Sequence, residues 1–113
     1  MKLIDFDINH LSSDKVATTK SQRELLLTQI PNWEIIKKDD IEQLFCCFKC
    51  TDFVAAMDFA SHITMLAEKA DHHPILIIEW GKVSVFWWSH YLQDLHINDF
   101  IMAANTQKAH NSL

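Results

Sequence analysis

Glycine is nearly absent from this chain of 113 residues, which holds one glycine, two prolines and three cysteines. So few glycines and prolines exclude collagen-like repeats and linker-rich architecture. Three cysteines, an odd and small number, exclude a disulfide scaffold. Long apolar runs are missing as well. The longest, Pro74 to Trp80, is strand-sized and interrupted by Glu79, well short of the roughly 20 residues of a membrane span. No basic stripe is present. Ten Lys and Arg stand against fifteen Asp and Glu, a net charge of -5. The one basic pair, Lys37-Lys38, runs directly into Asp39-Asp40. Binding by phosphate neutralisation needs the opposite pattern, so no nucleic-acid partner is expected. The N-terminal MKLIDFDINH carries acids where a secretory signal needs an uninterrupted apolar stretch. A reducing, cytoplasmic compartment and no membrane contact are expected.

What is present is ordinary globular composition, 49% hydrophobic and 22% charged, in a length that suits one domain. Residues 1–18 read as a polar extension with little core of its own, although Leu3, Ile4, Phe6 and Ile8 could dock as a short edge segment. The domain proper is expected over 19–113. Ser21-Gln22-Arg23-Glu24 has the form of a capping box. Leu25, Leu26, Leu27 and Ile30 follow, and Pro31 closes the helix. Trp33–Lys38 and Ile41–Lys49 read as strands about an Asp39-Asp40 turn.

From Phe53 the period becomes helical. Phe53, Ala56, Met57, Ala60, Ile63 and Ala67 form a stripe that Val54, Phe59 and Leu66 widen, broad enough to suggest burial on two sides. Ile75–Trp80 and Val83–Ser89 form a second hairpin about Gly81-Lys82, and a last helix begins near Asn98. The order α-β-β-α-β-β-α predicts an α+β two-layer sandwich: a four-stranded antiparallel sheet with helices on one face.

Seven histidines are present. His72 and His73 share the loop between the long helix and the third strand. His90 follows the fourth strand, and hairpin pairing returns it towards them, with Glu68 and Asp71 nearby. Histidine titrates near neutrality, so such a cluster can hold one protonated and one neutral ring, as paired acid and base catalysis requires. Adjacent residues of an extended segment point to opposite sides, and no His pair stands at i, i+4, so no metal centre is expected. Cys46, Cys47 and Cys50 lie on a strand without a helix start beside them, and read as small buried hydrophobes rather than a redox pair.

The pattern Glu68-x3-His72-His73-Pro74-x5-Trp80-x9-His90-x8-Asp99 resembles the signature of the pterin-4a-carbinolamine dehydratase family. The likeness runs from about residue 19 to 108 and includes Ile30-Pro31-Asn32-Trp33-Glu34 and the aromatics Phe45, Phe48 and Phe53. It implies dehydration of 4a-hydroxytetrahydropterin to quinonoid dihydropterin, in pterin cofactor recycling, without a metal or organic cofactor. It also implies a homodimer or homotetramer. His72 and His90 are the implied acid–base pair. His73, Glu68, Asp71, Pro74, Trp80, Ser89 and Asp99 are the implied substrate-binding residues. Two alternatives accompany it: a non-catalytic dimerisation or assembly module of the same fold, and a dehydratase for another pterin, as in molybdopterin metabolism.

The chain departs from the family at two places. Trp87-Trp88-Ser89-His90 stands where many members have Ser/Thr-Thr-His, and Asp94-Leu95-His96 where they have Gly-Leu-Ser/Thr. Strand alternation puts Phe86 and Trp88 on the face away from the helices, where they are expected to form an apolar patch for a protein partner. Asn98 or Asp99 is expected to replace the missing Ser/Thr cap of the last helix.

Overall fold

The computed structural model describes residues 1–113. Helix α1 (Lys20–Leu27) leads into strands β1 (Glu34–Lys38) and β2 (Ile41–Lys49). The long helix α2 (Phe53–Ala70), strands β3 (Ile75–Glu79) and β4 (Lys82–Trp87), and helix α3 (Ile97–Asn111) follow. The sheet runs β1-β2-β4-β3, antiparallel throughout, with α2 and α3 against one face. This is the α+β two-layer sandwich that the alternating periods predict.

The sheet divides its side chains as the period of two requires. Leu44, Cys46 and Phe48 of β2 and Val83, Val85 and Trp87 of β4 are buried on the helix side. They meet Ala56, Phe59, Ala60, Ile63 and Ala67 of α2 and Phe100, Ile101 and Ala103 of α3. The buried stripe of α2 is therefore narrower than its sequence suggests. Phe53, Val54 and Met57 remain 47%, 68% and 44% exposed, while Phe59 is fully buried. The cysteines divide the same way. Cys46 is buried, and desolvation there raises its thiol pKa to about 11, whereas Cys47 faces outward and is exposed.

Local chemistry sets the element ends. The capping box of α1 is Thr19 with Gln22, not Ser21 with Glu24: Thr19 Oγ1 accepts the Gln22 N–H, and Gln22 Oε1 accepts the Thr19 N–H. The same polar spacing occurs at both registers. The earlier one wins where Thr18 N–H and its hydroxyl both reach the Leu95 carbonyl and anchor the chain just before the helix. The second hairpin turns on Trp80-Gly81, with Glu79 paired to Lys82. Gly81 takes φ +77°, which a glycine adopts without strain.

The first residues are docked, but not as a sheet edge. Short 3-10 turns at Leu3–Asp5 and Ile8–His10 lie against α3 and α2. Leu3 is buried at 1% exposure while Ile4 stays at 78%. Gln29 Oε1 accepts the Leu3 N–H, and Asn105 Nδ2 donates to the Phe6 carbonyl.

In the first hairpin Asp39 and Asp40 both adopt positive φ, 52° and 64°, the left-handed conformation that a two-residue turn demands and that glycine supplies at least cost. Asp40→Gly is expected to stabilise the protein by about 0.5–1 kcal/mol and raise Tm by a few degrees, read by thermal unfolding. An unchanged or lower Tm would show that Asp40 bears no strain.

Candidate active site

Helix α2 ends on Asp71 in the left-handed conformation, φ 50°. The Asp71 N–H returns to the Glu68 carbonyl and the His72 N–H to the Ala67 carbonyl. This is a Schellman closure with Asp where glycine is usual. It ends the helix abruptly and throws His72, His73 and Pro74 into extended chain leading into β3. The β3–β4 ladder pairs Ile75 with Phe86. Continued outward, the same register sets His72 opposite Ser89 and His73 opposite Trp88.

The centre of this end of the sheet is Asp99, in the first turn of α3 and fully buried. Its Oδ1 lies 2.6 Å from His72 Nε2. Its Oδ2 accepts the Ser89 hydroxyl at 2.9 Å and the His96 N–H at 2.9 Å. An ionised carboxylate only accepts, so His72 carries its hydrogen on Nε2 and leaves Nδ1 free. The His72 ring stacks on the Trp87 indole, centroids 5.6 Å apart and planes 3° apart. Trp87 is itself fixed, since its indole N–H donates to Thr106 Oγ1 in the core. His72 is thus gripped at an edge by a charge and on a face by an aromatic plane, with its side chain 15% exposed.

His90 sits just past Ser89 in a tight turn that returns at Asp94, where Ser89 N–H meets the Asp94 carbonyl. Its ring is exposed and stacks on Trp88, centroids 4.4 Å and planes 14° apart. The turn is clamped by Arg23 of α1, whose guanidinium reaches Asp94 Oδ1 at 2.8 Å and also pairs with Glu42. His73 forms a separate, exposed pair with Glu68, 2.6 Å between Nε2 and Oε2, of the kind that contributes at most about 1 kcal/mol.

The structure therefore joins Asp99, His72 and Ser89 in one buried network, with His90 next in chain to Ser89. Glu68 and His73 form a second set on the same loop. Pro74 holds the entry to β3. Asp71 serves through its backbone as the helix terminator, and Trp80, 71% exposed, stands at the opposite end of the β3–β4 hairpin. The three main surface hollows, of about 390, 590 and 380 Å³, are lined by other residues, so the histidine end lies outside all of them.

Two expectations require correction. Phe86 and Trp88 form no exposed patch. They are only 6% and 9% exposed, because Phe45 packs on Phe86 at 4.9 Å, the Lys38 ammonium covers the Phe86 ring, and His90 covers Trp88. The apolar surface left open near them belongs to Ile75 and Ile77 of the edge strand β3, at 37% and 44%. The cap of α3 is also neither Asn98 nor Asp99. It is His96, whose Nδ1 accepts the Asn98 N–H at 3.0 Å while Asp99 closes the reciprocal bond. Sequence reasoning missed His96, Asp14 and Arg23. The one visible signal was His96 standing at the place of a Ser/Thr cap.

Asp99→Ala removes the shared acceptor of Ser89, His96 and His72. It is expected to cost about 3–5 kcal/mol, the penalty for breaking a buried charged network, measured by urea unfolding. A loss below about 1 kcal/mol would show that Asp99 organises nothing.

Comparison with known proteins places this arrangement in context. The family model described as Pterin 4 alpha carbinolamine dehydratase matches residues 15–109. A Marinobacter nauticus protein named "Putative pterin-4-alpha-carbinolamine dehydratase" is 42% identical over 97 residues, 86% of this chain and 87% of its own length. A Nitrosococcus oceani protein of the same name is 49% identical over 80 residues, 71% of each chain. A Brucella melitensis crystal structure described as a transcriptional coactivator/pterin dehydratase superposes with a TM-score of 0.75 at 28% identity. It covers 83% of this chain and 98% of its own. With the fold and the greater part of the chain in agreement, the chain belongs to the pterin-4a-carbinolamine dehydratase family.

Proposed function

We propose that this protein dehydrates 4a-hydroxytetrahydropterin to the quinonoid dihydropterin, with His72 and His90 as its acid–base pair. The observation that carries the reading is the Asp99 carboxylate bonded at once to His72 and to Ser89, the neighbour of His90. In the reaction the C4a–O bond breaks, the hydroxyl takes a proton and leaves as water, N5 gives up its proton, and its electrons close the N5–C4a double bond. His72 suits the base, because Asp99 stabilises the imidazolium that forms when Nδ1 accepts the N5 proton. His90, exposed to solvent for reprotonation, suits the acid that assists the leaving hydroxyl. His73, steadied by Glu68, is assigned to orienting the bicyclic ring, and Ser89 and Asp99 to holding the pair. Positioned proton transfer is worth about 10² to 10⁴-fold. A product released in this form suits recycling of a pterin cofactor.

Purified protein is expected to accelerate dehydration of synthetic 4a-hydroxytetrahydropterin, followed by ultraviolet absorbance. His72→Ala and His90→Ala should each lower kcat by about 10²-fold or more, with unchanged circular dichroism. Wild-type rates in both variants would reject the assigned pair.

Self-assembly is part of the proposal. Val54, Met57 and Met65 leave an apolar stripe open on α2, and β3 presents Ile75 and Ile77 along an unpaired strand edge. A second copy of the chain is a suitable cover for such surfaces. Light scattering should report a dimer or tetramer, and a 13.2 kDa species at micromolar concentration would contradict it.

A further inference from the structure

We propose that His96 is a positioning residue for the reaction: its ring caps the first turn of α3 and so holds Asp99, and through Asp99 His72, in place. The inference rests on the dehydratase reading of the site.

The bonds around His96 fix its state. The ring is fully buried. Its Nδ1 faces the Asn98 N–H at 3.0 Å. A backbone N–H can only donate, so Nδ1 presents a lone pair. The ring hydrogen is then on Nε2, which donates to Asp14 Oδ1 at 2.9 Å. The backbone N–H of the same residue donates to Asp99 Oδ2, the carboxylate whose other oxygen holds His72. Whatever orients His96 therefore orients Asp99, and through it the free Nδ1 of His72.

Without the ring acceptor the Asn98 N–H loses its partner, and the first turn of α3 loosens where Asp99 sits.

The neighbouring groups hold the His96 ring in place. Asp14, on the N-terminal strap, faces Nε2. The Ser12 hydroxyl, the Val16 N–H and His96 hold the Asp14 pKa at about 2, so it remains a charged acceptor through the working range. Asp99 meets the His96 backbone N–H from α3. Arg23, Glu42 and Asp94 form their own cluster around Leu95. Tyr91 lies 6.5 Å away beneath Lys15. The strap is pinned across this corner by Ser12 and Asn98, which exchange two hydrogen bonds. Residues 1–14 lie outside the span that matches the family model, and from them Ser12 and Asp14 reach the first turn of α3 and its cap.

The test measures kcat and KM for 4a-hydroxytetrahydropterin at neutral pH in the wild type, His96→Ala and His96→Ser. Nitrogen-15 NMR of the His72 ring accompanies the kinetics. His96→Ala should lower kcat about fivefold, the factor expected for a lost cap, with KM little changed and the His72 ring nitrogen signals displaced. His96→Ser restores a cap, so it should recover kcat and return those signals towards the wild type. A His96→Ala protein matching the wild type in kcat and His72 signals would overturn the proposal, as would a His96→Ser protein as slow as His96→Ala. Should the wild type lack dehydratase activity, that reading fails. The His72 ring signals in His96→Ser against His96→Ala then still decide the positioning claim.

Discussion

A fully buried carboxylate organises this molecule. Asp99 is surrounded by donors from three separate stretches of chain: His72 after α2, Ser89 after β4, and the His96 N–H that opens α3. An unsatisfied charge in that position costs several kcal/mol, and each donor removes part of the penalty. The three segments must therefore arrive together. The requirement is stricter than that of the apolar core, where a side chain can shift and repack at small cost. It holds the loop after α2 and the end of β4 at one corner, the corner on which the proposed chemistry rests.

The apolar layer sets the plane on which the network rests. Trp87 is the last residue of β4 on the helix side. Its indole is fully buried, anchored by Thr106 and flat beneath His72. On the other side of the strand Trp88 holds His90 in the same stacked manner. Two consecutive tryptophans thus provide one aromatic support on each side of the sheet end. This accounts for bulky residues just before Ser89-His90, where many members of the family have small hydroxyl residues. The same packing removes Phe86 and Trp88 from solvent and leaves the open apolar surface to α2 and the β3 edge.

The N-terminal segment binds the site from behind. Thr18 meets the Leu95 carbonyl, Asp14 meets His96 and Ser12 meets Asn98. Arg23 joins α1 to the turn that carries His90. The acid functions Asp14 and Asp94 are used up in these contacts.

Much of this was legible in the residues. The change of period from two to 3.6 and back marked every strand and helix, because alternation and helical spacing follow directly from backbone geometry. The Glu68-to-Asp99 spacing marked the corner where His72, Ser89 and Asp99 meet, because a hairpin returns the end of β4 towards the loop before β3. Three things were decided only in three dimensions. The capping residue of α1 lay two positions early, because Leu95, far along the chain, binds Thr18. His96 became the cap of α3 because its Nε2 donates to Asp14, which leaves Nδ1 to accept the Asn98 N–H. Phe86 and Trp88 became interior because Phe45, Lys38 and His90 close over them. Periodicity is a property of neighbours along the chain and can be read there. A tautomer, a buried charge and a covered aromatic depend on partners from distant segments, which only the folded chain brings together.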